Sequence, residues 1–343
     1  MQKQNNYILA IESSCDDTSC AVMLNDVLLS HVTANQSIHS LHGGVIPELA
    51  SRDHQKNIVL VVDEALKQVN VALNQIDAVA VTSGPGLMGS LLVGLSFAKS
   101  LALALNVPLI EVNHMQAHIL AHFVKEKNED KKEFPEFPFL CLTVSGGHTQ
   151  LVQVNDYLSF ELLGQTIDDA VGEAFDKAAK ILGLPYPGGP LIDKYAQLGD
   201  VTKYKFAETK VPNNDYSFSG IKTSFLYFIQ RQVQLDKDFI ANNLNDICAS
   251  YQSHLIKVLL KNVMVLLQEG KYKNFVIAGG VSANSELRKQ VLYLESKFKI
   301  KTFIPKFEFC TDNAAMIGVS AYFKFLNAEF SDLSCIPSAR MQL

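Results

Sequence analysis

Residues 139–154 read FLCLTVSGGHTQLVQV, and residues 8–24 read ILAIESSCDDTSCAVML. Each is an apolar run, a short polar turn and a second apolar run, the pattern of a β-hairpin. The second copy follows the first by about 130 residues, a spacing that points to internal duplication of one α/β unit. Two such halves predict two lobes facing each other across a cleft, with one polar hairpin turn contributed from each side. Around the first hairpin, residues 27–34 add a strand and Pro47 opens a helical pattern that runs to about Asn70. Residues 77–82 form an apolar strand that ends in Ser83-Gly84-Pro85-Gly86, and a helix is expected from Leu87. Around the second hairpin, Thr166 is expected to cap a helix, with Asp169, Glu173 and Asp176 on one face. Residues 203–222 read as irregular and basic, and a long helix is expected over about 238–269. A strand at 274–278 leads through Gly279-Gly280 into another helix, 299–303 form a last strand, and Thr311-Asp312-Asn313 cap a final long helix.

At 343 residues the chain is long enough for two domains of about 150 residues each. The charged, proline-punctuated run KEKNEDKKEFPEFP (125–138) marks the boundary. The expected division is an N-terminal lobe over 1–132, joined by the last helical region at about 311–343, and a C-terminal lobe over 133–310. Hydrophobic content of 48% and charged content of 19% are those of a globular protein. A net charge of −5 argues against whole-surface attraction to nucleic acid but leaves room for a local basic groove. The most apolar stretch, 87–105, carries Ser90, Ser96, Lys99 and Ser100 and reads as a buried core helix rather than a membrane span. Residues 1–6 hold no signal-like apolar region, and six cysteines without paired spacing fit a reducing cytoplasm.

Residues 112–120 read VNHMQAHIL. His114 and His118 lie four apart, one turn above each other on a helix, and Asn113 can cap its start. Such a pair can chelate a divalent metal, with a distant carboxylate such as Asp312 as third ligand. It can equally be a polar helix face with no ligand. The glycine loops at 42–44, 84–86, 146–147 and 279–280 also have two readings. Each can be a tight turn, or bare backbone amides that receive phosphate. Asp176 and Asp193 can hydrogen-bond ribose hydroxyls or sit on solvated helix faces. Ser145 beside His148 lacks the strand–elbow–helix setting of a serine nucleophile.

Ten ordered segments resemble one family over nearly the whole chain, the universal tRNA threonylcarbamoyladenosine transferases, long labelled O-sialoglycoprotein endopeptidases. They are residues 11–18, 43–52, 84–89, 113–118, 144–151, 172–177, 185–190, 216–223, 278–284 and 310–316. The resemblance implies a duplicated α/β fold of the actin, hexokinase and heat-shock-chaperone ATPase class, ribonuclease-H-like, with an inter-lobe cleft. It implies that His114, His118 and Asp312 hold one divalent metal, iron first and zinc second. It implies further that Thr143, Val144, Ser145, Gly146 and Gly147 hold the phosphate and carbamoyl end of threonylcarbamoyl-AMP. Asp176, Gly189, Asp193 and Asn284 would hold the nucleoside part. The chain departs from the family at Gln116-Ala117, where Glu-Gly is usual, and at Asp17, where Glu is usual.

The implied reaction moves a threonylcarbamoyl group from its adenylate to N6 of the adenosine 3′ to the anticodon in tRNAs reading ANN codons, and AMP leaves. The resemblance names no general base; Glu12 and Asp16 on the first hairpin are the candidates. The lysines of 203–222 and 288–306 suit part of a tRNA path. The implied partners are tRNA, a paralogous heterodimer subunit and a small ATPase, in the cytoplasm and without a membrane. A metallopeptidase is disfavoured because Met115 stands where H-E-x-x-H needs its glutamate. A sugar-kinase-like ATPase remains open on fold alone, and a non-catalytic assembly partner fits the retained motifs poorly.

Overall fold

The computed structural model describes residues 5–36, 39, 43–127, 129, 132–209 and 211–343. His42, of the first glycine loop, lies outside the described residues, as does Lys210 of the basic stretch. The chain divides into two compact units, one of residues 1–134, 156–160 and 306–343, the other of residues 135–155 and 161–305.

The first unit opens with β1 (Tyr7–Glu12), β2 (Asp17–Leu24) and β3 (Val27–Asn35), followed by α1 (Pro47–Val69) and β4 (Ala78–Gly84). It continues with α2 (Met88–Leu105), β5 (Leu109–Asn113), α3 (His114–Leu120) and β6 (Lys125–Glu126). The second unit holds β7 (Phe139–Val144), most of β8 (Thr149–Asp156) and β9 (Ser159–Gln165), α4 (Val171–Ile181) and α5 (Gly188–Ala196). Then come α6 (Ser219–Leu235), α7 (Phe239–Gln268), β10 (Asn274–Ala278), α8 (Ser285–Phe298) and β11 (Lys301–Phe303). Finally, α9 (Ala314–Leu326) returns to the first unit.

The sheet orders are β5-β4-β1-β2-β3-β6 and β11-β10-β7-β8-β9. In each, an antiparallel hairpin (β1/β2, β7/β8) is extended on one side by two parallel strands. The duplication read from the hairpins is therefore a duplication of topology. Ile8 to Ile11 are wholly buried, as a strand covered on both faces requires. In the first unit α1 and α2 pack on the sheet, and α9 packs on β1 and β2. In the second unit Phe175, Tyr216, Phe225 and Tyr251 anchor a core made by α4, α5, α6 and α7 with the sheet.

Four local expectations change. The helix expected from Thr166 begins at Val171, because tertiary bonds hold 166–169 out of helical conformation. The Thr166 hydroxyl donates to the Asp169 carbonyl, Asp168 accepts from the amides of Phe218 and Ser219, and Asp169 pairs with Lys177 and Lys222. Asp169 therefore shares no helix face with Glu173 and Asp176. Those same Asp168 bonds anchor the start of α6, whose first residues, 219–222, belong to the stretch expected to be irregular. The last helix ends at Leu326, and its cap is Asn313, whose side chain accepts from the Met316 amide at 2.9 Å. Residues 327–343 then leave the helix and run back past β5, where Leu109 and Ser331 form an antiparallel bridge. The expected core helix α2 buries only one side, through Ser90, Leu91, Gly94, Leu95, Ala98 and Ala102, and leaves Leu103 67% exposed.

The glycine loops separate into those that the fold requires and those that it does not. A Cβ on Gly172 would sit 2.5 Å from the Ser145 carbonyl, and one on Gly279, at φ +87°, would sit 2.4 Å from the Val144 carbonyl. Gly146 and Gly147 meet nothing within 4 Å and avoid positive φ. Their glycine identity is not a turn requirement. In urea unfolding, Gly172→Ala should cost about 1–3 kcal/mol through overpacking, whereas Gly146→Ala and Gly147→Ala should stay within about 0.5 kcal/mol of wild type. A second effect comes from His31, which burial pushes down to about 4; its Nε2 lies 2.9 Å from the Ser19 hydroxyl. Between about pH 6.5 and about 4 the unfolded chain takes up a proton that the folded chain refuses. Stability should therefore fall as pH drops through that window, and His31→Gln should flatten the slope of unfolding free energy against pH.

Candidate functional site

In the first unit, β5 delivers the chain to α3, and the Asn113 side chain accepts from the amides of Met115 and Gln116. This cap aims the first turn so that His114 and His118 both face Asp312 at the start of α9. The two Nε2 atoms lie 3.3 and 3.2 Å from the same oxygen, Asp312 Oδ1, and the rings meet edge to face with centroids 4.7 Å apart. One ligand atom from each of the three residues falls within a span of 4.8 Å.

The other side of His114 is held as well. Its Nδ1 lies 3.2 Å from Glu12 Oε2 and 3.2 Å from the Ser14 hydroxyl. Glu12 is wholly buried; Oε1 accepts from the Ser14 amide and Oε2 from the Thr82 hydroxyl, both at 2.5 Å. A carboxylate behind an imidazole fixes the ring's tautomer and leaves its far nitrogen for a cation. Burial opposes charge on every member of the group. Asp312 and Glu12 nonetheless overcome it to raise His114 well above the usual histidine range, and the imidazoles hold Asp312 far below the carboxylate range. Glu12 is lowered against its burial by His114, whereas burial lowers His118.

The donor set fits a divalent metal. A single carboxylate oxygen receives two imidazole nitrogens, which demands a proton on both Nε2 atoms if no cation is there. A further buried atom, His118 Nδ1, has no hydrogen-bond partner. Replacing the two Nε2 protons with one cation removes the crowding and keeps the His114–Glu12 bond. At the family departures, Ala117 is fully buried, and Asp17 accepts from the Asn35 side chain at 2.7 Å. Burial, with Asp16 and Asp312 nearby, pushes the Asp17 carboxyl up to about 7.

Sequence reasoning missed His54. It is fully buried on α1, with Nε2 3.0 Å from the Cys15 carbonyl and Nδ1 2.7 Å from the Thr18 hydroxyl, and it clamps the turn that carries Ser14. A lone polar residue on the buried stripe of α1 was the available signal. The Ser83–Gly86 turn, read as a possible anion receiver, is filled by protein. Gly86 donates to the Ala339 carbonyl, and Leu87 donates to the Ser14 carbonyl at 2.7 Å.

In the second unit the predicted ligand residues fall into two groups. Thr143 and Val144 are buried in β7, so only their main chain is available, while Gly146 and Gly147 are exposed. Among the described residues, the amides of Gly146 and Gly147 make no backbone hydrogen bond, and the buried hydroxyl of Ser282 beyond Gly280 has no partner. Gly279 packs against the Val144 carbonyl, which sets the two glycine loops side by side. Asp176 spends Oδ1 on the amides of Gly188 and Gly189, at 2.8 and 3.2 Å, and so ties α4 to the start of α5. Asp193 accepts from Ser285 and from Gln252, and Gln252 in turn accepts from Asn284 at 2.8 Å. Gln252, buried in an apolar run of α7, is the unforeseen bridge that joins Asp193 to Asn284.

The sequence profile of the tRNA N6-adenosine threonylcarbamoyltransferases matches residues 27–319. Proteins of that name from Christiangramia forsetii and Riemerella anatipestifer are 56% and 52% identical to this chain, each over 340 residues covering 99% of both sequences. Among solved structures, HypF of T. kodakarensis superposes with a TM-score of 0.61 at 14% identity, over 95% of this chain and 48% of its own. That likeness concerns the fold alone, which is the duplicated one of the actin and hexokinase ATPase class. Buried His114 and His118 facing a partly exposed Asp312, the open Gly146-Gly147 turn and identity along almost the entire length lead to one assignment: the chain belongs to the tRNA N6-adenosine threonylcarbamoyltransferase family.

Proposed function

We propose that this protein transfers the threonylcarbamoyl group of threonylcarbamoyl-AMP to N6 of the adenosine 3′ to the anticodon in tRNAs reading ANN codons, releasing AMP. The observation that carries the reading is 56% identity over 99% of the chain to a relative named for this transfer. In the reaction an N–C bond forms at the carbamoyl carbon, the bond from that carbon to the phosphate oxygen breaks, and N6 gives up one proton. An aromatic amine is a weak nucleophile, so alignment and stabilisation of developing negative charge carry most of the acceleration.

The roles follow from what each group has left to give. The unengaged amides of Gly146 and Gly147 suit the phosphate of the adenylate. Asp176, Gly189, Asp193 and Asn284 suit its nucleoside, with Gln252 fixing the last two. His114, His118 and Asp312 would hold one divalent cation, iron first and zinc second as the family resemblance implies; two imidazole nitrogens and a carboxylate oxygen suit either. Such a cation supplies Lewis-acid polarisation of a carbonyl or phosphate oxygen. Glu12 has both oxygens occupied and buried, so it orients His114 rather than taking the N6 proton. Asp16, half-buried on the same turn, is left as the candidate base. The anticodon loop offers its target base unpaired, and the lysines of 203–222 and 288–306 supply cations for its backbone.

The apolar surface supports the paralogous heterodimer subunit as a partner, with a small ATPase as a further one. Val59 and Leu60 on α1, and Met88, Leu92 and Leu103 on α2, stay exposed, and the two helices pack on each other. Among the described residues α2 is the one helix long and apolar enough to cross a membrane, and its bare side is better explained by a protein partner.

Nucleoside mass spectrometry of tRNA incubated with protein, partners and threonylcarbamoyl-AMP should show modified adenosine. A His114→Ala/His118→Ala protein should yield at least a hundredfold less and bind no stoichiometric metal. Full product from that variant would make the metal structural; none from wild type with metal and partners verified would return the ATPase reading. For the partner face, Leu60→Asp/Leu103→Asp should abolish co-purification with the paralogous subunit while leaving the far-UV spectrum of the chain unchanged.

A further inference from the structure

Beyond α9 the chain runs back past β5 and is held at several places in turn. Ser331 donates its amide to the Leu109 carbonyl at 2.8 Å and accepts from the Glu111 amide at 3.0 Å, which closes the open edge of β5. Ser338 donates to the Ser83 carbonyl at 2.8 Å, and the Ala339 carbonyl accepts from Gly86 at 3.3 Å. The Gln342 carbonyl then accepts from Asn113 Nδ2 at 2.7 Å. The fit over the turn is close: a Cβ on Gly84, at φ +153°, would stand 2.1 Å from the Ser338 carbonyl and 3.0 Å from Met341 Cβ.

Asn113 thus has two jobs. Its Oδ1 caps α3, at 2.9 and 3.1 Å from the amides of Met115 and Gln116, and its Nδ2 is tied to residue 342. The helix that it caps has seven residues, well short of the roughly 12 at which an isolated helix begins to hold itself. Its position must come from its surroundings. Yet that helix has to keep two imidazole nitrogens at 3.2 and 3.3 Å from one oxygen on a distant segment. On the other side α9 and the Glu12–His114 bond hold the helix; at its N-terminal end residues 338–342 lock the cap to the neighbouring β4–α2 turn.

We propose that residues 337–343 are a positioning strap for the metal centre, acting through Asn113 to fix the orientation of α3 and hence the geometry of His114 and His118. This rests on the metal reading above and adds to it a segment that holds no ligand itself.

Cobalt(II) titration of the full chain tests it, with binding affinity and the visible d–d absorption of the bound ion as readouts. Asn113→Ser keeps a capping hydroxyl and the neutral charge, and loses only the amide that reaches Gln342. A chain stopped after Ile336 keeps Asn113 and loses the strap. Both should raise the Kd for Co2+ about tenfold or more, the scale of a lost outer-shell contact, and both should shift the absorption bands. Wild-type affinity and bands in Asn113→Ser overturn the strap's role even if its melting temperature falls, and that variant decides the matter should the shortened chain not fold. A wild-type protein that takes up no Co2+ overturns the metal reading, and the strap's role with it.

Discussion

Asp312 Oδ1 receives two imidazole nitrogens from a helix almost two hundred residues earlier in the chain, and much of the first unit is arranged to make that meeting tolerable. A buried carboxylate is expensive unless paired, and a buried pair with one partner missing is worse still. Each member is therefore fixed from behind. Asn313 caps α9, and the Ala314 amide donates to the Ser19 hydroxyl, which pins the Asp312 loop to β2. Glu12, itself bonded by Ser14 and Thr82, fixes His114. His54 fixes the turn that Ser14 belongs to. The positions of three residues are set by at least six others.

The duplicated hairpins show how one topology takes two kinds of work. In the first copy the turn after β1 is made of serines, a cysteine and aspartates, and its main chain is spent inside the protein: the Ser14 carbonyl accepts from Leu87, and the Cys15 carbonyl accepts from Ser90 and lies against His54. In the second copy the corresponding turn is Ser145-Gly146-Gly147-His148. Its two glycines are free of packing and of unusual backbone angles. Filled space in one copy and bare amides in the other occur although the strands around them pair in the same order.

Much of this was legible along the chain. The hairpin repeat, the strands at 77–82 and 274–278, the H-x-x-x-H helix with its asparagine cap, and the glycine loops all depend on short-range spacing, which a sequence displays directly. The start of α4, the existence of α6 and the path of residues 327–343 were not legible. Asp168 binds amides fifty residues away, and the strap binds turns more than two hundred residues away, so no local pattern announces them. Glycine was the most ambiguous letter of all. Gly84, Gly172 and Gly279 are demanded by neighbouring carbonyls, while Gly146 and Gly147 are not, and only the positions of those carbonyls tell the two kinds apart.

By itself, then, the sequence determined which residue types are available and which stand one helical turn or one strand step apart. That was enough for the duplicated α/β architecture, the histidine pair and the family, because periodicity and ordered motifs are local properties of the chain. The tertiary structure alone decided that Asp312 meets both histidines, that Glu12 is buried with both carboxylate oxygens engaged, that Gln252 links Asp193 to Asn284, and that the 84–86 turn is occupied by the chain's own residues. Each of these depends on which groups are left unpaired after folding, and that is fixed only when distant segments have claimed their hydrogen bonds.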